Sequence, residues 1–432
     1  MRAALYESDI TPPLGCHQTG YGFERIAEDV YDRLYSKALV VEDGGNYAVI
    51  IAVDICEYPH ELHDKVTKRI YEYTGISPEC VCVHSTHAHF GAPVTDDPQI
   101  NCFGDEMYKD VFYRLVADCA ILAYKRLEEC RLLFGAAEVK GIANCRCSVM
   151  KDGTLQSFVS DTLAIEKPFS EPDHELPVVF IERNGKKIGA LYSFGCHQDT
   201  VKPITRGWGY SGDYSSVAAE YFKKEYGSDF VSIYMAAPSG DINTCNPYDE
   251  EKKKGVPWTD IGKMLFDGAQ SVSKNLLEVG NGVKVVKELI EVPVRNLSDE
   301  EFSRLAKAYL EQDKGCGGRL SNLVYYQKTV RDEFVKLYVQ IIKLGDLAIF
   351  VYPGEMFGEY SRRTKENSPF KYTIVAENSN AYGGYIAPPA AYGENSFLYE
   401  TSPAHDSFVE KCGGELLYNK IIELANSIKG DL

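Results

Sequence analysis

The chain has 432 residues, 44% of them hydrophobic, and carries a formal net charge of −17. That apolar content supports one large folded unit or two closely packed ones, and the acidic balance disfavours nucleic acid and anionic membranes as partners. Thirteen scattered cysteines, an odd number without paired CxxC spacing, read as reduced thiols rather than a disulfide framework or a structural zinc site.

The opening MRAALYESDITPP shows no apolar leader, and no run of 18 apolar residues follows. A cytoplasmic protein with no integral membrane association is therefore expected. In chain order the pattern is mixed α/β. Residues 36–54 predict a hairpin turning at Glu-Asp-Gly-Gly, residues 60–73 a helix, 80–84 a short strand, and 105–129 a long amphipathic helix. A strand pair at 177–194 turns at Asn-Gly and is followed by helix 212–225, strand 230–236 and helix 258–276. Strand 283–293, helix 299–312, strands near 323–330 and 333–352, strand 371–376, a Gly/Pro/Tyr-rich loop at 379–400 and a helix at 403–427 complete the chain. No internal repeat is visible, and 311–322 (EQDKGCGGRLSN) is the candidate sub-domain boundary or surface loop in an otherwise single unit spanning 1–432. The fold class expected is α/β, with mixed β-sheets flanked by helices.

Chemistry-bearing residues collect at strand ends. Three of only nine histidines lie in HSTHAHFGAP, as His84, His87 and His89. In an extended chain alternate side chains share a face, so His87 and His89 point together into a cleft, unless the cluster serves packing or capping. His197 in YSFGCHQDT also ends an apolar strand, and its context alone does not separate a functional histidine from a packed one. In PSGDINTCNP, Gly240 permits a turn with positive φ, and Asp241 either orients a metal-bound histidine or forms an ordinary turn. In VYPGEMFGEYSRR, Glu355 follows Pro-Gly at a strand end, as a hard ligand or as a carboxylate favoured at a helix N-terminus. The loop holding Tyr382, Tyr385, Tyr392 and Tyr399 has the composition of an aromatic-walled binding loop. No glycine fingerprint for a dinucleotide and no Gly-x-Ser-x-Gly elbow occurs.

These motifs, in this order, resemble the N-terminal catalytic domain of the neutral/alkaline non-lysosomal ceramidases. The resemblance runs through SDITPPLG, LYSKALVVEDGGNYAVIIAVD, STHAHFGAP, FGCHQD, APSGDINTCNP, YPGEMFGEYSRR and NAYGGYIAPPAAY. It implies Zn²⁺ held by His87, His197, Glu355 and Tyr385, with His89 as the active-site histidine and Arg146 as an active-site arginine. Tyr382 and Asp241 are placed around this centre, in contact with ligands or substrate. The chain departs from the family where Asn243 stands in place of the serine of Gly-Asp-Val-Ser-Pro-Asn; Asn243 can still donate a hydrogen bond to an oxyanion. Phe90 likewise replaces the serine of the histidine motif. The family's signal segment and C-terminal immunoglobulin-like domain are not recognised. The reading is a zinc-dependent hydrolase cleaving an amide or ester in a small or amphipathic substrate other than ceramide. Alternatives are a metal-dependent hydrolase of a phosphoester or sugar-linked acyl group, and an inactive binding protein on the same fold.

Overall fold

The structure is a computed structural model that describes residues 1–96, 102–202, 207–249, 254–312 and 318–430. Three sheets carry the architecture. The first is five-stranded, in the order Val81–Ser85, Asn46–Val53, Tyr35–Asp43, Arg2–Asp9, Glu128–Glu129. The second is ordered Val231–Ala236, Lys186–Phe194, Glu175–Arg183, Arg131–Glu138, Leu277–Glu278, and the third Val283–Pro293, Phe334–Leu344, Leu347–Val351, Tyr372–Ala376.

Alternation along each strand divides its side chains between two cores. Leu39, Val41, Ile50, Val179, Ile181, Ile233, Ile342 and Ile349 point into a central core where the three sheets meet. Their neighbours in sequence point outward beneath helices: Val40, Val49 and Ile51 lie with residues of helices His60–Thr74 and Glu106–Tyr124. Phe180, Tyr192 and Phe350 lie beneath helices that include Asp213–Tyr226 and Gly413–Ser427. Burial on both faces explains why these strands read as nearly continuous apolar runs.

One arrangement occurs three times. An antiparallel hairpin is followed by a helix and then by a strand parallel to the hairpin's second strand. The units are Tyr35–Asp43/Asn46–Val53/His60–Thr74/Val81–Ser85, then Glu175–Arg183/Lys186–Phe194/Asp213–Tyr226/Val231–Ala236, then Phe334–Leu344/Leu347–Val351/Gly358–Asn367/Tyr372–Ala376. The first hairpin turns on Gly44 and Gly45 (φ 59° and 85°) and the second on Asn184 and Gly185 (φ 50° and 75°), the backbone a two-residue hairpin requires. The sequence carries no visible repeat; the repetition is one of topology, and each unit has its own apolar residues.

The strands Arg2–Asp9 and Arg131–Glu138 were not predicted, the helix expected over 105–129 ends at Tyr124, and three further elements take another form. Most of the predicted strand 323–330 belongs to a helix, Gly318–Thr329, because Leu323 and Tyr326 bury one face against Leu305 and Tyr309 in a small satellite cluster. The predicted strand 333–352 is a hairpin broken at Gly345 (φ 58°). The last helix begins at Gly413 rather than 403, since Pro403 opens a short 3₁₀ turn that ends with Asp406 in the left-handed region. Of the boundary candidate 311–322, residues 313–317 lie outside the described residues. Twelve cysteines are described and all are free thiols, and no described helix is long and apolar enough to cross a membrane.

His84 joins the first and third sheets and a strand end of the second. Its Nδ1 lies 2.8 Å from the Glu377 carbonyl and 3.0 Å from Ser379 Oγ, and its Nε2 accepts the Ala236 N–H at 2.9 Å. Of the three clustered histidines this one is a core residue. Burial holds it neutral, with its pKa pushed down from 6.5 to about 3. The unfolded chain therefore takes up a proton between those values that the folded chain refuses, and stability present above pH 6.5 is lost as the pH falls towards 3. His84→Ala is expected to unfold about 3 kcal/mol more easily at pH 8. Urea titrations from pH 8 to 3.5 should also give the variant a flatter acid limb, by up to ~1.4 kcal/mol per pH unit. An unchanged acid limb would show that His84 is not the group refusing the proton.

Candidate metal centre

Each unit contributes to one site at the C-terminal ends of its strands. Beyond the first, the chain leaves extended geometry: His87 has φ 64°, so the alternation expected to align His87 and His89 is absent. Instead Ala88 forms a parallel bridge with Gln198, and His89 N donates to the Gln198 carbonyl at 3.0 Å, which ties the segment to the one bearing His197. Met356 O accepts from Gly240 N at 2.8 Å, and Glu355 pairs in parallel register with Tyr385.

The ring nitrogens are fixed by backbone carbonyls. His87 Nδ1 lies 2.9 Å from Cys56 O, and His197 Nδ1 lies 2.9 Å from Ser239 O and 3.2 Å from Ile242 O. A carbonyl only accepts, so each Nδ1 carries the proton and each Nε2 presents a lone pair. Glu355 Oε2 sits 3.2 Å from His87 Nε2 and 3.1 Å from His197 Nε2, and has no hydrogen-bond donor of its own. Three buried acceptor atoms thus converge, and the histidine–histidine–carboxylate donor set fits a divalent cation. Tyr385 Oη lies 3.3 Å from His197 Nε2, and His89 Nε2 lies 3.2 Å from His87 Nε2. A second possible donor group, Cys56, His87 and His89, shares His87.

The charges of the cluster act on one another. Burial opposes ionisation of Glu355, yet His87 and His197 beside it hold its pKa well below the usual range. Burial likewise opposes a proton on His87, but the Glu355 carboxylate outweighs it and raises the pKa well above normal. Burial, with charge on His87 and His197, depresses His89.

Around this centre Tyr382 donates to Glu355 Oε1 at 2.9 Å. Arg146 is buried, with Nε 2.6 Å from Glu400 Oε1 and Nη2 donating to Tyr385 Oη at 3.1 Å and Gly240 O at 2.9 Å. Its main-chain N donates to Asp241 O at 2.8 Å, which carries Arg146 to Tyr385.

Two expectations are corrected. The Asp241 carboxylate does not orient a histidine: Oδ1 accepts the Gly358 N–H at 2.7 Å where a helix begins, and Oδ2 accepts from Ser170. The neighbouring carbonyls of Ser239 and Ile242 perform the orienting instead. Gly240 has no positive φ; it is needed because a Cβ there would stand 2.6 Å from Glu355 O. The positive φ (79°) belongs to Gly354, where a Cβ would meet Gly384 O at 2.6 Å. Asn243 Nδ2 donates to Asp199 Oδ2 at 2.9 Å.

Sequence reasoning missed Glu400, Cys56 and Arg25. Glu400 is fully buried and accepts from Arg146, Cys147 and Ser157. Its only sequence signal is an acid in an otherwise aromatic loop. Cys56 acts through its carbonyl, which leaves no mark in residue type. Arg25 donates to the Thr19 and His89 carbonyls at 2.5 Å each, with its guanidinium 4.2 Å from the Tyr21 ring centre. A cavity of about 700 Å³ beside the Gly185 turn is lined by none of these groups.

Two solved structures, neutral ceramidase from Pseudomonas aeruginosa and a ceramidase complexed with C2, each superpose with a TM-score of 0.72 at 17% identity, over 100% of this chain and 75% of theirs. At that identity the likeness is one of fold. No curated protein matches the chain. Residues 5–254, more than half of the chain, match the family described as neutral/alkaline non-lysosomal ceramidase, N-terminal, a span that contains His87, His89, Arg146, His197, Asp241 and Asn243 but not Glu355 or Tyr385. The chain therefore belongs to the neutral/alkaline non-lysosomal ceramidase family and has its hydrolase fold.

Proposed function

We propose that the protein is a zinc-dependent hydrolase that cleaves an amide or ester bond in a small or amphipathic substrate other than ceramide, the whole chain acting as one catalytic unit. The observation that carries the reading is the convergence of His87 Nε2, His197 Nε2 and Glu355 Oε2 within 3.1–3.2 Å contacts, with both Nδ1 protons committed to carbonyls. These atoms, with Tyr385 Oη, would hold the ion; nitrogen and oxygen donors in this number suit zinc. A zinc ion bound there supplies Lewis acidity to a carbonyl and allows a water to ionise near neutral pH.

The chain's own residues then divide the work. His89, kept neutral by burial, takes the proton of the attacking water at Nε2 and returns it to the leaving amine or alkoxide. Tyr382 holds the second oxygen of Glu355, which fixes the carboxylate's orientation. Arg146 donates to the Tyr385 oxygen and provides positive charge near the developing oxyanion, with Glu400 holding it in place. Asn243 contributes through Asp199: its amide fixes the carboxylate two residues beyond His197. The free thiols support a reducing compartment, the cytoplasm.

Elemental analysis of the purified protein should find about one zinc per chain, lost in His87→Ala and in Glu355→Ala. Hydrolysis of a panel of amides and esters should fall on the order of a thousandfold in both. A wild type that holds no metal after zinc is offered and excess removed would move the protein to the binding-protein reading; metal retention with turnover of phosphoesters alone would move it to the other bond class. Tyr382→Phe should keep the metal but weaken its affinity roughly 10- to 100-fold, read by competition with a chromogenic chelator.

A further inference from the structure

Beside the metal centre lies a cavity of about 160 Å³. Its walls include Phe158 and Tyr399, which back directly onto the site: Tyr399 stands edge-on to Tyr385 with ring centres 5.7 Å apart, and the Arg146 guanidinium lies 4.9 Å from the Phe158 ring centre. The cavity's polar groups are Gln156, Ser157, Tyr309, Arg319 and His405. In a chain of net charge −17 its lining, among the described residues, holds an arginine and no carboxylate. Glu400, behind the wall, is engaged by Arg146 and Ser157.

His405 gives a second, independent sign of a ligand. Its ring stacks on Tyr399 at 4.0 Å, and its Nε2 is buried without a hydrogen-bond partner. Burial first, and then the Arg319 charge, push its pKa down to about 3, so it stays a neutral imidazole able to donate one hydrogen bond. A buried polar nitrogen left unsatisfied is costly, and a ligand acceptor would remove that cost. Arg319 sits in the first turn of helix Gly318–Thr329, half-buried, and no hydrogen bond or ion pair joins its guanidinium to another described residue.

We propose that this cavity is a specificity subsite for a carboxylate carried by the substrate, with Arg319 and His405 Nε2 as its donors and the Tyr399 and Phe397 rings flanking the short chain that leads to the scissile bond. The proposal rests on the hydrolase reading above and names its substrate class: a small amide or ester whose acyl or amine portion ends in a carboxylate. A planar guanidinium fork matches a carboxylate's two oxygens, and one neutral imidazole adds a third donor. The small volume and aromatic walls suit a few methylenes and exclude a long alkyl chain.

The test has two arms. In the first, glutarate and inorganic phosphate are titrated calorimetrically into the purified chain, its Arg319→Gln variant and its Arg319→Lys variant. Glutarate should bind the wild type, bind Arg319→Gln at least tenfold more weakly and Arg319→Lys to an intermediate degree, and outcompete phosphate. No binding, equal binding by all three proteins, or preference for phosphate overturns the proposal. In the second arm, the zinc-loaded enzyme is given succinyl, glutaryl and adipyl 4-nitroanilides beside their neutral methyl esters. One free acid should exceed its ester at least tenfold in kcat/KM, and Arg319→Gln should bring that ratio near one. Glutarate binding lost in Arg319→Gln, with no nitroanilide cleaved, would keep the subsite and reject the hydrolase reading. Cleavage without preference for the free acids would keep the hydrolase and reject the subsite.

Discussion

Two imidazole lone pairs and a carboxylate oxygen, buried within 3.1–3.2 Å contacts, repel one another unless positive charge lies among them. Water cannot screen that repulsion, because His87, His197 and Glu355 are each exposed by 2% or less. A proton on His87 relieves it partly, which is why that pKa rises despite burial. A divalent cation relieves it more fully, since all three atoms can face it at once. The arrangement persists because the histidines cannot turn away: each Nδ1 is pinned to a main-chain carbonyl, and those carbonyls belong to the rigid ends of strands.

That rigidity comes from the threefold use of one topology. Each hairpin's second strand runs toward the site, and the parallel strand after the helix returns beside it. Cys56, His197 and Glu355 follow the second strands of the three units; His87, Ser239 and Tyr385 follow the parallel strands. One segment of each pair supplies a group, and its neighbour orients or faces it. The central core locks the three sheets together through interleaved apolar side chains, so the strand ends keep their mutual distances. A donor set assembled from three sheets separated by more than a hundred residues is as firm as that shared core.

Much of this was legible in the sequence because it followed from period and punctuation. The paired hairpins stood out through Gly44-Gly45 and Asn184-Gly185, and the helices through apolar spacing. His87, His197 and Glu355 each stand beside a strand end in the sequence, while Tyr385 was reached only through the family resemblance; their side-chain atoms lie 3.1–3.3 Å apart in the structure. What escaped depended on tertiary context. Leu-Val-Tyr-Tyr at 323–326 has the residue types of a strand, yet its burial at three-residue spacing against Leu305 and Tyr309 makes it helix. His84 shared a motif with His87 and His89, yet a strand faces it into the core while the left-handed turn at His87 sends its neighbours elsewhere. The orienting carbonyls of Cys56 and Ser239 were invisible, because any residue has a carbonyl and only the fold decides where it points.

Departures from the family's motifs acquire physical content once neighbours are known. Phe90, where the family has serine, is fully buried and stacks edge-on with Tyr21, and both rings lie against the Arg25 guanidinium, at 5.0 and 4.2 Å from their centres. Arg25 in turn donates to the His89 carbonyl, and Nε and Nη1 of its guanidinium find no acceptor. Aromatic faces therefore stabilise a buried cation that no carboxylate among the described residues pairs with. A serine at position 90 would remove one of those faces and open space beside His89. The aromatic side chain thus packs against the arginine that holds the His89 carbonyl. On the opposite side, Asn243 closes onto Asp199. Both positions carry, in place of a small hydroxyl, a larger group engaged within the protein: Phe90 with Tyr21 and Arg25, Asn243 with Asp199.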